Sequence, residues 1–260
     1  MSYYKLLTKK EPEKSLVTYF AKRGGRATSG RITVRHQGGG VKRLYRFVDF
    51  GQGKIGIPAK VLAIEYDPNR TSFLCLLEYE DKEKRYRLCP HNLKVGDTVL
   101  CDEKAEIKIG NRMRLKNIPV GESVFDIELM PGLGGKMVKG AGTAAKILNH
   151  EGNFTTLALP SSEVRMVSSE NFATVGQVSF PEHKFIKIKN AGVRRLRGIR
   201  PTVRGSAMNP VDHPHGGGEG RCPIGMPGPK TPWGKPALGV KTRKQKWTQK
   251  LIIQRRKKKK

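Results

Sequence analysis

Thirteen residues, Asn209-Pro-Val-Asp-His-Pro-His-Gly-Gly-Gly-Glu-Gly-Arg221, bring together two carboxylates, two imidazoles and three consecutive glycines. Asp212, His213 and His215 have the chemistry to hold a transition metal or, with a histidine as general base, to move protons. Either role needs ligands fixed by rigid elements and by an outer set of hydrogen bonds. The flanking Pro210, Pro214 and Gly216, Gly217 and Gly218 offer no such support from the local sequence. No Ser or Cys stands at a telling spacing from a base, so a nucleophilic triad has nothing local to rest on. Contact with RNA uses the same residues with fewer assumptions. Glycines let backbone approach a phosphate, Arg204 and Arg221 supply charge, and His and Pro rings stack on unpaired bases. A metal- or histidine-dependent enzyme centred on Asp212, His213 and His215 is kept as the alternative.

A similar arrangement lies near the other end: Arg26 and Arg31 in a glycine-rich stretch, then Arg35-His36-Gln37-Gly38-Gly39-Gly40, then Lys42, Arg43 and Arg46. Each stretch pairs a histidine with three glycines among arginines, as two separate insertions into RNA would require; the alternative is a flexible basic linker. Arg194, Arg195, Arg197 and Arg200 fall within seven positions with no acid nearby, and would repel one another unless phosphates relieve them. The closing Arg-Arg-Lys-Lys-Lys-Lys reads equally as a phosphate contact or a localisation signal. Gly132-Leu-Gly-Gly-Lys-Met137 is superficially a phosphate loop, but it lacks the four-residue gap between glycines and the Ser or Thr that meets magnesium. It reads as a glycine-rich connection between strands, with amides free to touch an RNA phosphate.

The elements that must position these residues are set out by charge. The 260-residue chain carries 51 Lys and Arg against 22 Asp and Glu, a net +29. Residues 1–46 account for +10 and 186–260 for +19, while 47–185 balance at 18 of each sign. A neutral body with two cationic arms and a polyanionic partner is the expected organisation. The C-terminal arm has eight prolines and nine glycines between Pro201 and Val240, too many to bury a continuous core, so it is expected to take one shape only against a partner. There is no run of 18 apolar residues and no secretory signal at the start, so a protein working inside a cell or organelle is expected, with no membrane partner. Cys75, Cys89, Cys101 and Cys222 have no paired spacing and read as reduced thiols, not as disulfides or zinc ligands.

The body has period-two patterning with frequent turn signals. Strands are expected over 60–66, 71–79, 85–88 and 95–100, with a turn at Asp67-Pro-Asn-Arg70. A second set follows a break at 117–121: 123–129, 144–148, 154–159, 164–167 and 174–178, with turns at Asn149-His-Glu-Gly152 and Pro160-Ser-Ser162. This is two small β-barrels in tandem, with little evidence for helix.

Several segments then become recognisable: GRITVRHQGGGVKRLYRFVDF (30–50), EYDPNR (65–70), EKRYRL (83–88), RGIRPTVRGSAMNPVDHPHGGGEGR (197–221) and TPWGKPALG (231–239). In this order they closely resemble the family of the second protein of the large ribosomal subunit, of bacterial and organelle type. The resemblance implies a mainly β chain: a basic N-terminal extension over 1–46, an oligonucleotide-binding-fold (OB-fold) barrel over 47–116, an SH3-like barrel over 117–185, and an extended basic Gly/Pro-rich arm over 186–260. It implies a non-enzymatic rRNA binder that supports subunit association and tRNA placement, its C-terminal arm directed toward the peptidyl transferase centre. A catalytic part suggested for the family's histidine falls on His213 and is set aside, because general-base work needs a tuned pKa and reach to the reacting amine. The expected rRNA-binding residues are those named above together with Arg70, Asn209, Trp233, Lys241 and Arg243. The partners are large-subunit rRNA, neighbouring ribosomal proteins and the small subunit, with no small-molecule substrate. No cofactor or metal is expected beyond Mg2+ carried by the rRNA. The expected location is the ribosome of a bacterial cytoplasm, mitochondrial matrix or plastid stroma. The stretch before Gly24 is shorter than in most bacterial members, and Arg221–Pro232 resembles cyanobacterial and plastid versions.

Overall fold

The computed structural model describes residues 6–9, 11–241 and 244–256; Arg243 and the last four lysines lie outside them. The chain divides into two compact units, one of Met1–Phe20, Arg43–Lys187 and Trp247–Lys260, the other of Ala21–Lys42 and Ile188–Lys246.

The first unit holds two curled antiparallel sheets, the OB-fold barrel followed by the SH3-like barrel. In the first, β3 (Ala59–Glu65) pairs with β4 (Leu74–Tyr79), which pairs with β5 (Lys84–Leu88), while β6 (Thr98–Val99) closes on β3. Period-two apolar residues put Val61, Cys75 and Leu77 into one core, where the Phe73 ring stacks on Phe180 at 4.7 Å. The expected Asp67–Arg70 turn forms: Asp67 Oδ1 accepts the Asn69 N–H at 2.8 Å and Arg70 pairs with Asp67 at 2.6 Å. A register shift between Val61 and Ala63 bends the sheet toward closure. The two-stranded ribbon of β1 (Val17–Tyr19) and β2 (Leu44–Arg46) also belongs to this unit.

The second sheet runs, in spatial order, through β15 (Ile252–Gln254), β13 (Val164–Ser168), β12 (Phe154–Ala158), β11 (Ala145–Glu151), β8 (Ser123–Phe125), β14 (Phe172–Val175) and β7 (Arg112–Arg114). Met113, Leu115, Val124, Ile147, Leu157 and Val167 fill its interior. Strand β7 lies ahead of residue 117 in sequence yet pairs with β14. Arg112 on it is buried, and its guanidinium donates to the Asp126 carbonyl at 2.7 Å and to Thr174 Oγ1 at 3.2 Å, with the Asp126 carboxylate at 3.1 Å. Cys75, Cys89 and Cys101 are buried, and burial pushes the Cys75 thiol up to about 12, so these side chains serve the core as apolar groups.

Several expectations are corrected. The strand read over 123–129 is interrupted at Asp126, whose φ of +49° splits it into β8 and β9 (Ile127–Glu128). Asn149 and His150 are strand residues, and the turn falls at Gly152. The His150 ring bridges the Ile118 carbonyl at 2.8 Å and Thr155 Oγ1 at 3.0 Å, which holds its orientation in the sheet. The Gly132–Met137 stretch forms β10 (Gly135–Met137) beside β9, and the Glu128 carboxylate accepts the Gly134 N–H at 2.8 Å and the Gly132 N–H at 3.4 Å. The loop does cradle an anion, but that anion is the chain's own buried Glu128, so the amides are not free for a phosphate. Strands β1, β2, β7 and β15 were not expected; three residues each, they are too short to show a period.

Candidate nucleic-acid interface

The second unit has no apolar core among the described residues: His213 is its one buried side chain. Its 19 Lys and Arg stand against Asp212 and Glu219, a net +17, more than half of the chain's whole excess. Main-chain pairing holds it together, and it draws on both basic ends. Gly38 N–H donates to the Gly198 carbonyl at 3.0 Å, Val41 N–H to Leu196 at 2.9 Å, and Arg200 N–H to His36 at 3.0 Å. The two stretches read as separate insertions are thus one folded piece. Next to this seam runs a single turn of helix, α1 (Ala191–Leu196), whose capping amide is that of Arg197.

This pairing explains the first glycine triplet. A Cβ at Gly40, where φ is +83°, would lie 2.8–2.9 Å from the Gly198 backbone and the Leu196 carbonyl. The close approach expected toward RNA is spent at Gly40 on the chain's own backbone. Lys22 Nζ ties down the same triplet, donating to the Gly39 and Gly40 carbonyls at 3.2 and 2.7 Å. Sequence reasoning missed Lys22, since a lysine far along the chain carries no signal of such a bond.

The second triplet is likewise structural. Asn209, Asp212 and His213 form a turn in which the Asn209 carbonyl accepts both the Asp212 and His213 amides, at 3.0 and 3.2 Å, and Gly217 N–H returns to the Met208 carbonyl at 3.1 Å. A Cβ on Gly216 would meet the Asn209 carbonyl oxygen at 2.3 Å, and one on Gly218 the Cys222 sulfur at 2.9 Å. His213 packs its ring flat on Gly205, where a Cβ would sit 2.5 Å from the imidazole. The expectation that this segment has no supporting shell of its own is therefore corrected: Gly205, Asn209 and the glycines after His215 supply one.

The shell also decides what the imidazoles can do. The His215 N–H donates to His213 Nδ1 at 3.0 Å, and the Lys230 N–H donates to His215 Nε2 at 2.8 Å. Each acceptor nitrogen uses its lone pair, so the other nitrogen of each neutral ring carries the proton. Neither ring offers a lone pair to a metal or to a substrate proton without first losing a backbone bond. Burial, with His215 and Arg35 beside it, holds the His213 imidazole below the ordinary histidine range. Among the described residues, no three of His, Cys, Asp and Glu gather as metal ligands would.

The remaining expected contacts divide by exposure. Arg26, Arg31, Arg35, Lys42, Arg194, Arg197, Arg200, Arg204, Asn209, Arg221, Trp233 and Lys241 are exposed. Trp233 stands 74% exposed at the tip of a turn that the Thr231 N–H to Lys235 carbonyl bond closes at 2.8 Å. His36, Arg195 and His215 are half-buried. Arg43, Arg46 and Arg70 belong to the first unit and serve its structure: Arg46 is buried and donates to Leu44, Arg43 donates to the Pro68 carbonyl at 2.9 Å, and Arg70 pairs with Asp67.

Two β-barrels joined in one chain to a core-less, glycine-shaped cationic unit define a protein that binds structured RNA. Residues 13–101 match a family model described as "Ribosomal Proteins L2, RNA binding N-terminal domain", and residues 108–234 match one described as "Ribosomal Proteins L2, C-terminal domain". The chain belongs to the ribosomal protein L2 family, a structural, rRNA-binding constituent of the large ribosomal subunit.

Proposed function

We propose that this chain organises large-subunit rRNA chiefly through its second unit, whose exposed arginines meet phosphates while Trp233 and the His213 loop meet unpaired nucleotides. The observation that carries this reading is the concentration of +17 in a unit without an apolar core, a surface that is stable only when phosphates replace the missing acids. His213 acts as a structural element of its loop, with no part in bond making. From that position the chain supports subunit association, tRNA placement and the ordering of rRNA toward the peptidyl transferase centre, beside neighbouring proteins and facing the small subunit. It works in the ribosome of a bacterium, mitochondrion or plastid, with Mg2+ present only as part of the rRNA.

The discriminating experiment replaces His213 with Asn and follows assembly and peptide-bond formation separately. Asn keeps an acceptor near the His215 amide but has no titratable ring. Particles should assemble with modest loss and form peptide bonds at the ordinary rate per assembled particle. Fully assembled particles that fail in bond formation alone would reverse the assignment.

A further inference from the structure

The first unit exposes an aromatic row that the cationic loops do not explain. On the β1–β2 ribbon, Phe20, Tyr45 and Phe47 point to one face, with Phe20 62% and Phe47 53% exposed. Ring centroids lie 5.9 Å apart both from Phe20 to Tyr45, tilted by 39°, and from Tyr45 to Phe47, edge to face at 85°. The central Tyr45 is half-buried and braced by the Arg70 guanidinium, 5.4 Å above its ring, while a hydroxyl contact to Arg70 Nη2 at 3.3 Å fixes its orientation. Arg70 continues over Phe50 at 5.5 Å, and Lys139 Nζ lies 4.1 Å from the centroid of the same Phe50 ring.

Two large apolar rings held at the ends of a rigid row cost free energy in water unless something covers them. The spacing is too short to insert a base between neighbouring rings, so a planar partner must stack on the outer faces of Phe20 and Phe47. The three rings lie within residues 13–101, which match an RNA-binding domain model, while the Arg43 and Arg70 guanidinium groups are already bound to the Pro68 carbonyl and to Asp67. Base stacking on exposed rings needs no added charge, so a nucleobase is the planar partner that fits the row. We propose that the Phe20–Tyr45–Phe47 row is a stacking platform for unpaired RNA bases, separate from the second unit's phosphate contacts. This rests on the RNA-binding reading of the chain and adds a site to it.

The test uses the full chain, an oligoadenylate of about six nucleotides, and a large-subunit rRNA fragment, with Phe20→Leu and Phe47→Leu and with Phe154→Leu, an exposed ring on β12, as control. Each platform variant should weaken oligoadenylate binding about tenfold with the salt slope unchanged, because stacking and not charge is lost, and Phe47→Tyr should restore it. The control should bind as the parent chain does. Ultraviolet cross-links to the oligoadenylate should map to the peptides containing Phe20 and residues 44–47. If the parent chain binds rRNA with a steep salt slope while the variants and cross-links show no effect at these rings, the platform is wrong and the RNA reading stands. If the parent chain does not bind rRNA, both fall. Coverage of Phe20 and Phe47 by another protein in the assembled particle also overturns the platform.

Discussion

At the scale of residues, the loop around His213 turns on which atoms touch. A Gly205→Ala change places a methyl group inside the His213 ring, so the ring must leave. The amides of His215, Gly216 and Gly217 should then exchange hydrogen faster, with the unfolding of the first unit unaltered; unchanged protection would show that His213 does not organise the loop. Gly40→Ala adds a positive-φ penalty of roughly 1–2 kcal/mol to its backbone clash and should open the seam between 36–41 and 196–200. Acidity acts on the same loop. His213 titrates below the ordinary 6.5, so the folded loop binds its proton less readily than the unfolded chain. The loop's order should be complete above about 6.5 and be lost below it, as the pH falls through the lower value at which the folded loop takes up its proton, because protonated Nδ1 can no longer accept the His215 amide. Nuclear magnetic resonance of the His215 amide between about pH 7.5 and 5 measures this. A signal that stays protected at the acid end would contradict it. In the sequence, Asp212, His213 and His215 were legible as a group, but not the glycine eight positions earlier that receives the ring, because that contact is made by a turn and not by spacing.

Among the elements, those long enough to show a period could be read directly. Strands β3, β4, β5, β11, β12 and β13 run five to seven residues, long enough to carry an apolar pattern, and the Asp67 turn announces itself by side-chain chemistry. Strands β1, β2, β7 and β15 could not be read, and two of them change how the chain is dissected. Strand β15 pairs Gln254 with Val164 and Ile252 with Arg165, so it forms one edge of the second barrel's sheet. Ending the chain after Lys246 should therefore destabilise that barrel by about 1–3 kcal/mol, the worth of two or three ladder bonds, as a lower urea midpoint. An unchanged midpoint would mean that β15 does not belong to the sheet. Strand β7 carries the buried Arg112, and Arg112→Ala, which leaves Asp126 buried without its partner, should cost about 3–5 kcal/mol by the same measurement. A loss below roughly 1 kcal/mol would show that water already compensates Asp126.

For the whole molecule, charge was the most legible property, yet the sequence misled about its geometry. Composition placed +10 and +19 at opposite ends, which reads as two arms. Folding joins Ala21–Lys42 with Ile188–Lys246 through main-chain bonds between residues about 160 positions apart, and no local pattern announces such pairing. The same fold withdraws Arg43, Arg46 and Arg70 into the first unit, so the cationic surface is narrower than the list of basic residues implies. The central claim is that this second unit holds rRNA by neutralising phosphates. It is tested most directly by the salt dependence of binding to a large-subunit rRNA fragment, for the full chain and for a variant with Arg194, Arg195, Arg197 and Arg200 all changed to Gln. If about ten phosphates are neutralised, log affinity should fall against log salt with a slope of roughly −7 to −9, and the variant's slope should be shallower by about 3–4. A slope near zero for the full chain, or the same slope for both proteins, would contradict the account.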